Sequence, residues 1–183
     1  MTFKDHAFVI ADLIHQHNIH VFAEIGVWKF KLGKKILINP SVNRTLKEYW
    51  AIDPYQEMPQ YKDRMPDQVM HKMGQISQVK WDNLYQSTCK YLLWFHQVKL
   101  LRMTSKQASS LFKPGYFDMV FIDADHTYEA VKQDFNLWKP RIRPGGILCG
   151  HDYHTYDEVK KAIDEQPYDM TFFPDEAIWL MYV

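Results

Sequence analysis

The sequence has little of what most specialised architectures need. Its 183 residues include two cysteines, Cys89 and Cys149, which form no CxxC pair. A zinc ribbon or a disulfide framework is therefore not expected, and a reducing, cytoplasmic setting is the simpler inference. An excess of charge is lacking too, since 22 Lys and Arg balance 22 Asp and Glu. A balanced chain has no overall basic field to hold nucleic acid or an anionic membrane, so neither is expected as a partner. No apolar run approaches the ~18 residues that cross a bilayer. Asp12 and His15 interrupt the apolar stretch near the N-terminus, so no secretory leader is expected either. No repeat or low-complexity segment breaks the chain. What remains is ordinary globular composition, 46% hydrophobic and 24% charged, over a length that suits one domain at 1–183.

The pattern that is present alternates. Phe3, Ala7, Ile10 and Ile14 repeat at helical spacing behind Thr2 as an expected N-cap. Short apolar runs follow at His20–Ile25, Glu48–Ile52, Val98–Met103, Phe117–Ile122 and Ile147–Gly150. Tyr128, Val131, Phe135 and Trp138 trace a helix face that Pro140 should end after Lys139. Thr155 and Glu158 form a capping-box pattern ahead of Val159 and Ile163. The runs Met170–Phe173 and Ala177–Val183, joined by Pro174-Asp175-Glu176, read as a hairpin. Strands alternating with helices mean an α/β fold with a buried parallel sheet. Residues 54–97 form the long interval between the second and third strands. Trp81, Leu84, Tyr85, Thr88 and Leu92 share a helix face there, so a helical insertion or lid is expected.

In an open parallel sheet, ligands bind beyond the carboxyl ends of the strands. Here those ends carry Glu24-Ile25-Gly26, Asp53-Pro54, Thr104-Ser105, Asp123-Ala124-Asp125-His126 and Gly150-His151-Asp152-Tyr153. Bland roles exist for each: Ser105 as a helix cap, Asp53 as a turn residue, Gly26 as a tight turn, His126 and His151 as partners for neighbouring carboxylates. Three carboxylates at one edge, Asp123, Asp125 and Asp152, repel one another unless a cation, a proton or a cationic ligand is present. The first turn, Gly26-Val27-Trp28-Lys29-Phe30-Lys31-Leu32-Gly33, is too bulky for the GxGxxG approach to a pyrophosphate, and no Walker A loop exists. A ligand with an adenosine end, a zwitterionic end and no phosphates fits better. S-adenosylmethionine has that shape, and its sulfonium suits an acidic edge.

The segments Phe117–Glu129, Pro144-Gly145-Gly146 and Gly150-His151-Asp152-Tyr153 carry a D-A-x-H-x-Y-E and a G-H-D-Y motif. With Ala23–Trp28 and Ala51-Ile52-Asp53, they resemble the small single-domain class I S-adenosylmethionine-dependent methyltransferases of the methyltransferase domain 24 type. The resemblance implies a Rossmann-like, seven-stranded sheet in the order 3-2-1-4-5-7-6 with a C-terminal antiparallel hairpin. It implies methyl transfer to a small-molecule hydroxyl, on a sugar or a phenol. Binding of the methyl donor would involve Glu24, Gly26, Trp28, Asp53, Thr104, Ser105 and Asp123. Chemistry would involve Asp123, Asp125, His126 and Asp152. A divalent metal (Mg²⁺, Mn²⁺ or Zn²⁺) at Asp123, His151 and Asp152 is a further option, with histidine tilting the choice away from Mg²⁺. Phe30 stands where the group usually has a second glycine. That departure favours an alternative, a non-catalytic S-adenosylmethionine-binding or scaffold subunit. Asp123-Ala124-Asp125 also matches the DxD of metal-dependent glycosyltransferases, which would leave the Glu24 and Gly150–Tyr153 segments unexplained. A homo-oligomer is compatible with the sequence.

Overall fold

A computed structural model describes residues 5–62 and 68–183, with side chains from residue 71 in the second stretch. The expected N-cap Thr2 lies outside the described residues. Asp5 caps the first helix, α1 (His6–Gln16), its carboxylate accepting from the Ala7 N–H at 3.1 Å. In chain order there follow β1 (Val21–Ile25), α2 (Lys31–Leu37), α3 (Pro40–Thr45), β2 (Glu48–Ile52), α4 (Gln68–Gly74), α5 (Gln78–Leu92) and β3 (Val98–Leu101). The second half holds α6 (Ser105–Ser109), β4 (Phe117–Ile122), α7 (Tyr128–Trp138), β5 (Ile142–Gly150), α8 (Asp157–Asp164), β6 (Thr171–Phe173) and β7 (Ile178–Tyr182).

The strands form one seven-stranded sheet in the order 3-2-1-4-5-7-6, the order expected from the sequence. The pairs among β1 to β5 are parallel, and β7 runs antiparallel to both β5 and β6. Alternation along each strand divides the core into two layers. Phe22, Tyr49, Met119 and Phe121 face α1, α2 and α3, whereas Ala23, Ile52, Val120 and Ile122 face α6, α7 and α8. Phe117 lies with the second layer although Met119 lies with the first. The pairing with β5 is irregular at the same point, jumping from Phe117↔Ile142 to Met119↔Ile147. Pro144-Gly145-Gly146, one of the segments that carry the resemblance, lies within β5, which starts five residues before the expected Ile147.

Two local expectations are corrected. Thr155 does not cap α8, whose N-cap residue is Tyr156, with no side-chain capping bond. Glu158 instead accepts from the Tyr128 N–H at 2.8 Å, tying α8 to the start of α7. Ser105 is not a cap either. Thr104 caps α6, in a capping box with Gln107. Within residues 54–97, Tyr55 and Trp81 are fully buried, with ring centroids 6.3 Å apart, so their aromatic surface serves the fold.

Candidate active site

The carboxyl ends of β1 to β5 open into one cleft of about 690 Å³, a volume typical of small-ligand sites. Every site residue expected from the sequence lines it: Glu24, Gly26, Trp28, Asp53, Thr104, Ser105, Asp123, Asp125, His126, His151 and Asp152. His6 and Asp134 line it too, without having been anticipated. From the 54–97 segment come Pro54, Gln56, Met58, Tyr61 and Met73, but not Tyr55, which packs inward.

The β1–β2 side is built from backbone. Gly26 adopts φ +91°, and a Cβ there would lie 2.2 Å from the Asp123 carbonyl oxygen, so only glycine lets this turn cross the end of β4. Asp53 holds the turn from beneath. Its Oδ2 accepts from the N–H groups of Val27 at 3.1 Å and Trp28 at 2.8 Å, and its Oδ1 from that of Tyr55 at 2.7 Å. A carboxylate has about four lone-pair positions, and three of them serve the chain. Three of its contacts thus shape the turn at the end of β1 and the start of the 54–97 segment. Glu24 is buried and accepts from the Tyr49 hydroxyl. Burial pushes its carboxyl well above the ordinary range.

Phe30, the departure from the motif, leaves the cleft open. Its backbone takes the left-handed conformation a glycine would take, φ +54°, and its ring is fully buried against Tyr49 and Tyr91. Gly33 makes the room. A Cβ at Gly33 would lie 2.2 Å from the tip of the Phe30 ring. The missing glycine reappears three positions later, beneath the ring that replaced it.

The β4–β5 side is built from charge. His126 Nε2 lies 3.0 Å from Asp152 Oδ2 and 3.7 Å from Asp123 Oδ1. His151 Nδ1 lies 3.2 Å and 3.6 Å from the same two oxygens. Burial lowers both imidazoles, but the carboxylates outweigh it and hold His126 at about 9 and His151 at about 10. Burial likewise raises both carboxyls, and the imidazoles outweigh it: Asp152 is held at about 2 and Asp123 falls well below the usual range. The cations that the clustered carboxylates call for are thus two histidines. Asp152 itself sits at φ +64°, a strained conformation for a residue with a side chain. The ring of Tyr156 stacks on His126 with centroids 4.4 Å apart, and His6 reaches from α1 to within 4.4 Å of the His151 ring.

The remaining residues are more committed than expected. Asp125 accepts from the Tyr61 hydroxyl and from the Thr127 N–H at 2.9 Å, so it joins β4 to the 54–97 segment and stands outside the imidazole cluster. The Ser105 hydroxyl donates to Asp134 and accepts from Trp138 Nε1 at 2.8 Å, so it is engaged within the fold. For a metal, the donor atoms of Asp123, His126 and Asp152 lie within 4.8 Å of one another, so His126 joins the expected His151, whose Nδ1 faces the same two carboxylate oxygens.

A methyltransferase domain family matches residues 23–153, the span from β1 to the end of the β5 motif. The O-methyltransferase NovP superposes with a TM-score of 0.68 at 18% identity, over 96% of this chain and 77% of its own. A methyltransferase from Geobacter sulfurreducens gives 0.59 at 12% identity, over 98% and 78%. These likenesses concern the fold. An uncharacterized protein, R132, of Acanthamoeba polyphaga mimivirus is 31% identical over 80 residues, 41% of this chain and 36% of its own length. The chain therefore matches only about a third of that curated relative. With 131 consecutive residues covered, strand order included, the chain belongs to the methyltransferase domain family.

Proposed function

We propose that this methyltransferase domain uses S-adenosylmethionine to methylate a hydroxyl of a small molecule, a sugar or a phenol. One observation carries the reading: five strand ends meet in one cleft, with a turn shaped by backbone hydrogen bonds on one side and an Asp–His cluster on the other. The donor set suits the two ends of the methyl donor. The Gly26 turn has room for the amino-acid end beside Glu24, and the carboxylates of Asp123 and Asp152 face a sulfonium favourably. When bound, S-adenosylmethionine supplies an electrophilic methyl carbon on sulfur. An acceptor hydroxyl attacking that carbon would lose its proton to an imidazole of the Asp–His cluster that has first released its own proton to solvent, and the carbon–sulfur bond electrons would leave with sulfur.

What the chain itself does is hold and exclude. The Asp53-anchored turn fixes one wall, Asp123 and Asp152 orient the acceptor, and Met58 and Tyr61 cover the edge against water. Asp123, His126 and Asp152 would hold a divalent metal. Both ring nitrogens of His126 are buried without a well-formed hydrogen bond, although Nε2 is 3.0 Å from Asp152. A metal there would lower the pKa of an acceptor hydroxyl, and its binding would release the imidazole proton.

No membrane-spanning helix exists among the described residues. The non-catalytic alternative rested on Phe30, and a ring that stays out of the cleft gives it little support. A DxD role would need Asp123 and Asp125 to act together, whereas Asp125 turns to Tyr61. Calorimetric titration with S-adenosylhomocysteine, and separately with a UDP-sugar, tests the reading. Heat from the first alone is expected; heat from the UDP-sugar alone would overturn it. EDTA, followed by Mn²⁺ or Mg²⁺ in a transfer assay on sugar and phenol panels, then decides the metal.

A further inference from the structure

Asp134 belongs to no motif, yet it lines the cleft from α7 while only 5% exposed. Its position within the helix is unusual. Val131, Phe135 and Trp138 around it form the stripe that packs on the sheet, and a carboxylate seldom occupies such a stripe without a task. One of its oxygens is accounted for: Oδ1 accepts from Ser105, whose hydroxyl is fixed in turn by Trp138. The other, Oδ2, has no hydrogen bond within the described chain and is not among the atoms sealed from the cleft.

The chemistry of that free oxygen selects its ligand. Burial pushes the Asp134 carboxyl up to about 6, which still leaves it mainly ionised at neutral pH. A buried carboxylate rejects anions and rewards a group that donates N–H or O–H. It stands at the corner of the cleft marked by Ser105 beyond β3, bonded to that residue's hydroxyl and near enough to Asp125 to feel its charge. If the amino-acid end of the donor is seated at Glu24 and Gly26, its nucleobase extends towards this corner. The Watson–Crick edge of adenine carries an exocyclic amine there, a donor that hypoxanthine replaces with an acceptor oxygen.

We infer that Asp134 reads the adenine base of the methyl donor by accepting from its exocyclic amine, with Ser105 and Trp138 as the residues that position it. This rests on the S-adenosylmethionine reading above, and the test separates the two. Affinities of the protein for S-adenosylhomocysteine and for its deaminated analogue, S-inosylhomocysteine, are measured by calorimetry, first in the wild type and then in Asp134→Asn. The wild type should favour the adenosyl ligand by roughly 10–100-fold, the worth of one hydrogen bond to a charged group. In Asp134→Asn that preference should collapse to near unity or reverse, because an amide can also donate to the inosine oxygen while still accepting from Ser105. A purely structural role for Asp134 would weaken both ligands alike and keep the ratio, which would overturn the inference. A wild-type ratio near one would overturn it without any variant. Failure of the wild type to bind either ligand would instead sink the S-adenosylmethionine reading itself, and this inference with it.

Discussion

The two sides of the cleft each face the problem of carboxylates held out of water, and they solve it by opposite means. On the β1–β2 side, Glu24 and Asp53 are satisfied by a tyrosine hydroxyl and by backbone N–H groups, and burial dominates, pushing both carboxyls up. On the β4–β5 side, Asp123 and Asp152 face two imidazoles, and the pairing dominates, pushing both carboxyls down. The first arrangement makes a wall fixed by hydrogen bonds to the backbone and to Tyr49. The second makes a polar cluster with protons to exchange. Methyl transfer needs both: a shaped seat for a ligand that does not react at that end, and a responsive cluster where a proton must leave.

The comparison breaks most visibly if one member of the charged side is neutralised. Asp152→Asn or Asp123→Asn should lower methyl transfer by roughly 10²–10⁴-fold, the usual contribution of positioned acid–base groups. Each should also cost about 3 kcal/mol of stability, because imidazoles set by two carboxylates would keep only one. On the other side, Asp53→Asn leaves an oxygen for the turn but loses the charge. Its cost should be nearer 1–2 kcal/mol, with weaker S-adenosylhomocysteine binding. Urea titrations of the three variants measure the contrast; equal losses on both sides would remove the distinction.

The next effect sharpens the account of the backbone-built side. Gly33→Ala forces a Cβ into the Phe30 ring and should cost about 1–3 kcal/mol by overpacking. In a Phe30→Ala background the same change meets open space and should cost far less. A double-mutant cycle reads the difference as coupling. Additive losses would mean that the two positions are independent.

How far could these two sides be read from sequence? The strands Glu48–Ile52 and Phe117–Ile122 lie where the apolar runs put them, and so does the order of the sheet. The identity of the cleft-lining residues was legible because strand ends in this topology must share an edge. Their partners were not. Nothing in Asp53-Pro54 says that the carboxylate will take three N–H groups from Val27, Trp28 and Tyr55, since these contacts depend on how closely two loops pass. Thr155 and Glu158 had capping spacing, but Glu158 found the unpaired N–H of Tyr128 on the neighbouring helix, a choice that local pattern cannot anticipate. Asp134 did leave a signal: an acid at i+3 from Val131, on the face that carries Phe135 and Trp138. His6 left none, because its place beside Phe121 and His151 depends on how α1 packs against the sheet.

pH separates the sides by window. His126 and His151, held near 9 and 10 in the fold against an ordinary 6.5, contribute stability that is complete below pH 6.5 and lost as pH rises through 9 to 10. Raised carboxyls such as Glu24 and Asp53 also favour the fold at low pH. Their contribution begins to fall once pH passes the ordinary carboxyl values of 4.5 and 3.8. Asp152, held at about 2, acts the other way: its contribution is present above 3.8 and lost as pH falls through 2. Thermal melts should therefore show a decline between pH 6.5 and 10 that His126→Gln combined with His151→Gln removes. A wild-type melting temperature that stays level across that window would mean the imidazoles are not paired as described.

The smallest effect concerns the contact between the charged side and its cover. Tyr61, in a single 3₁₀ turn at Pro59–Tyr61, donates its hydroxyl to Asp125, which is fixed to the start of α7 through Thr127. This joins the 54–97 segment to the β4 end directly beside His126, so an open cover and an open cluster should go together. Tyr61→Phe removes the donor but keeps the ring, and should cost about 1 kcal/mol, the net worth of one such hydrogen bond. The sharper readout is protease access. Cleavage between Gln56 and Gly74, an interval that includes residues outside those described, should quicken in Tyr61→Phe and slow in both proteins when S-adenosylhomocysteine is added. A ligand that protects the wild type and the variant to the same final rate would place the energy of closure in the ligand and not in the tyrosine. A ligand that protects neither would mean that residues 56–74 do not cover the cleft at all, and the charged side would then have to exclude water with His6 and Tyr156 alone.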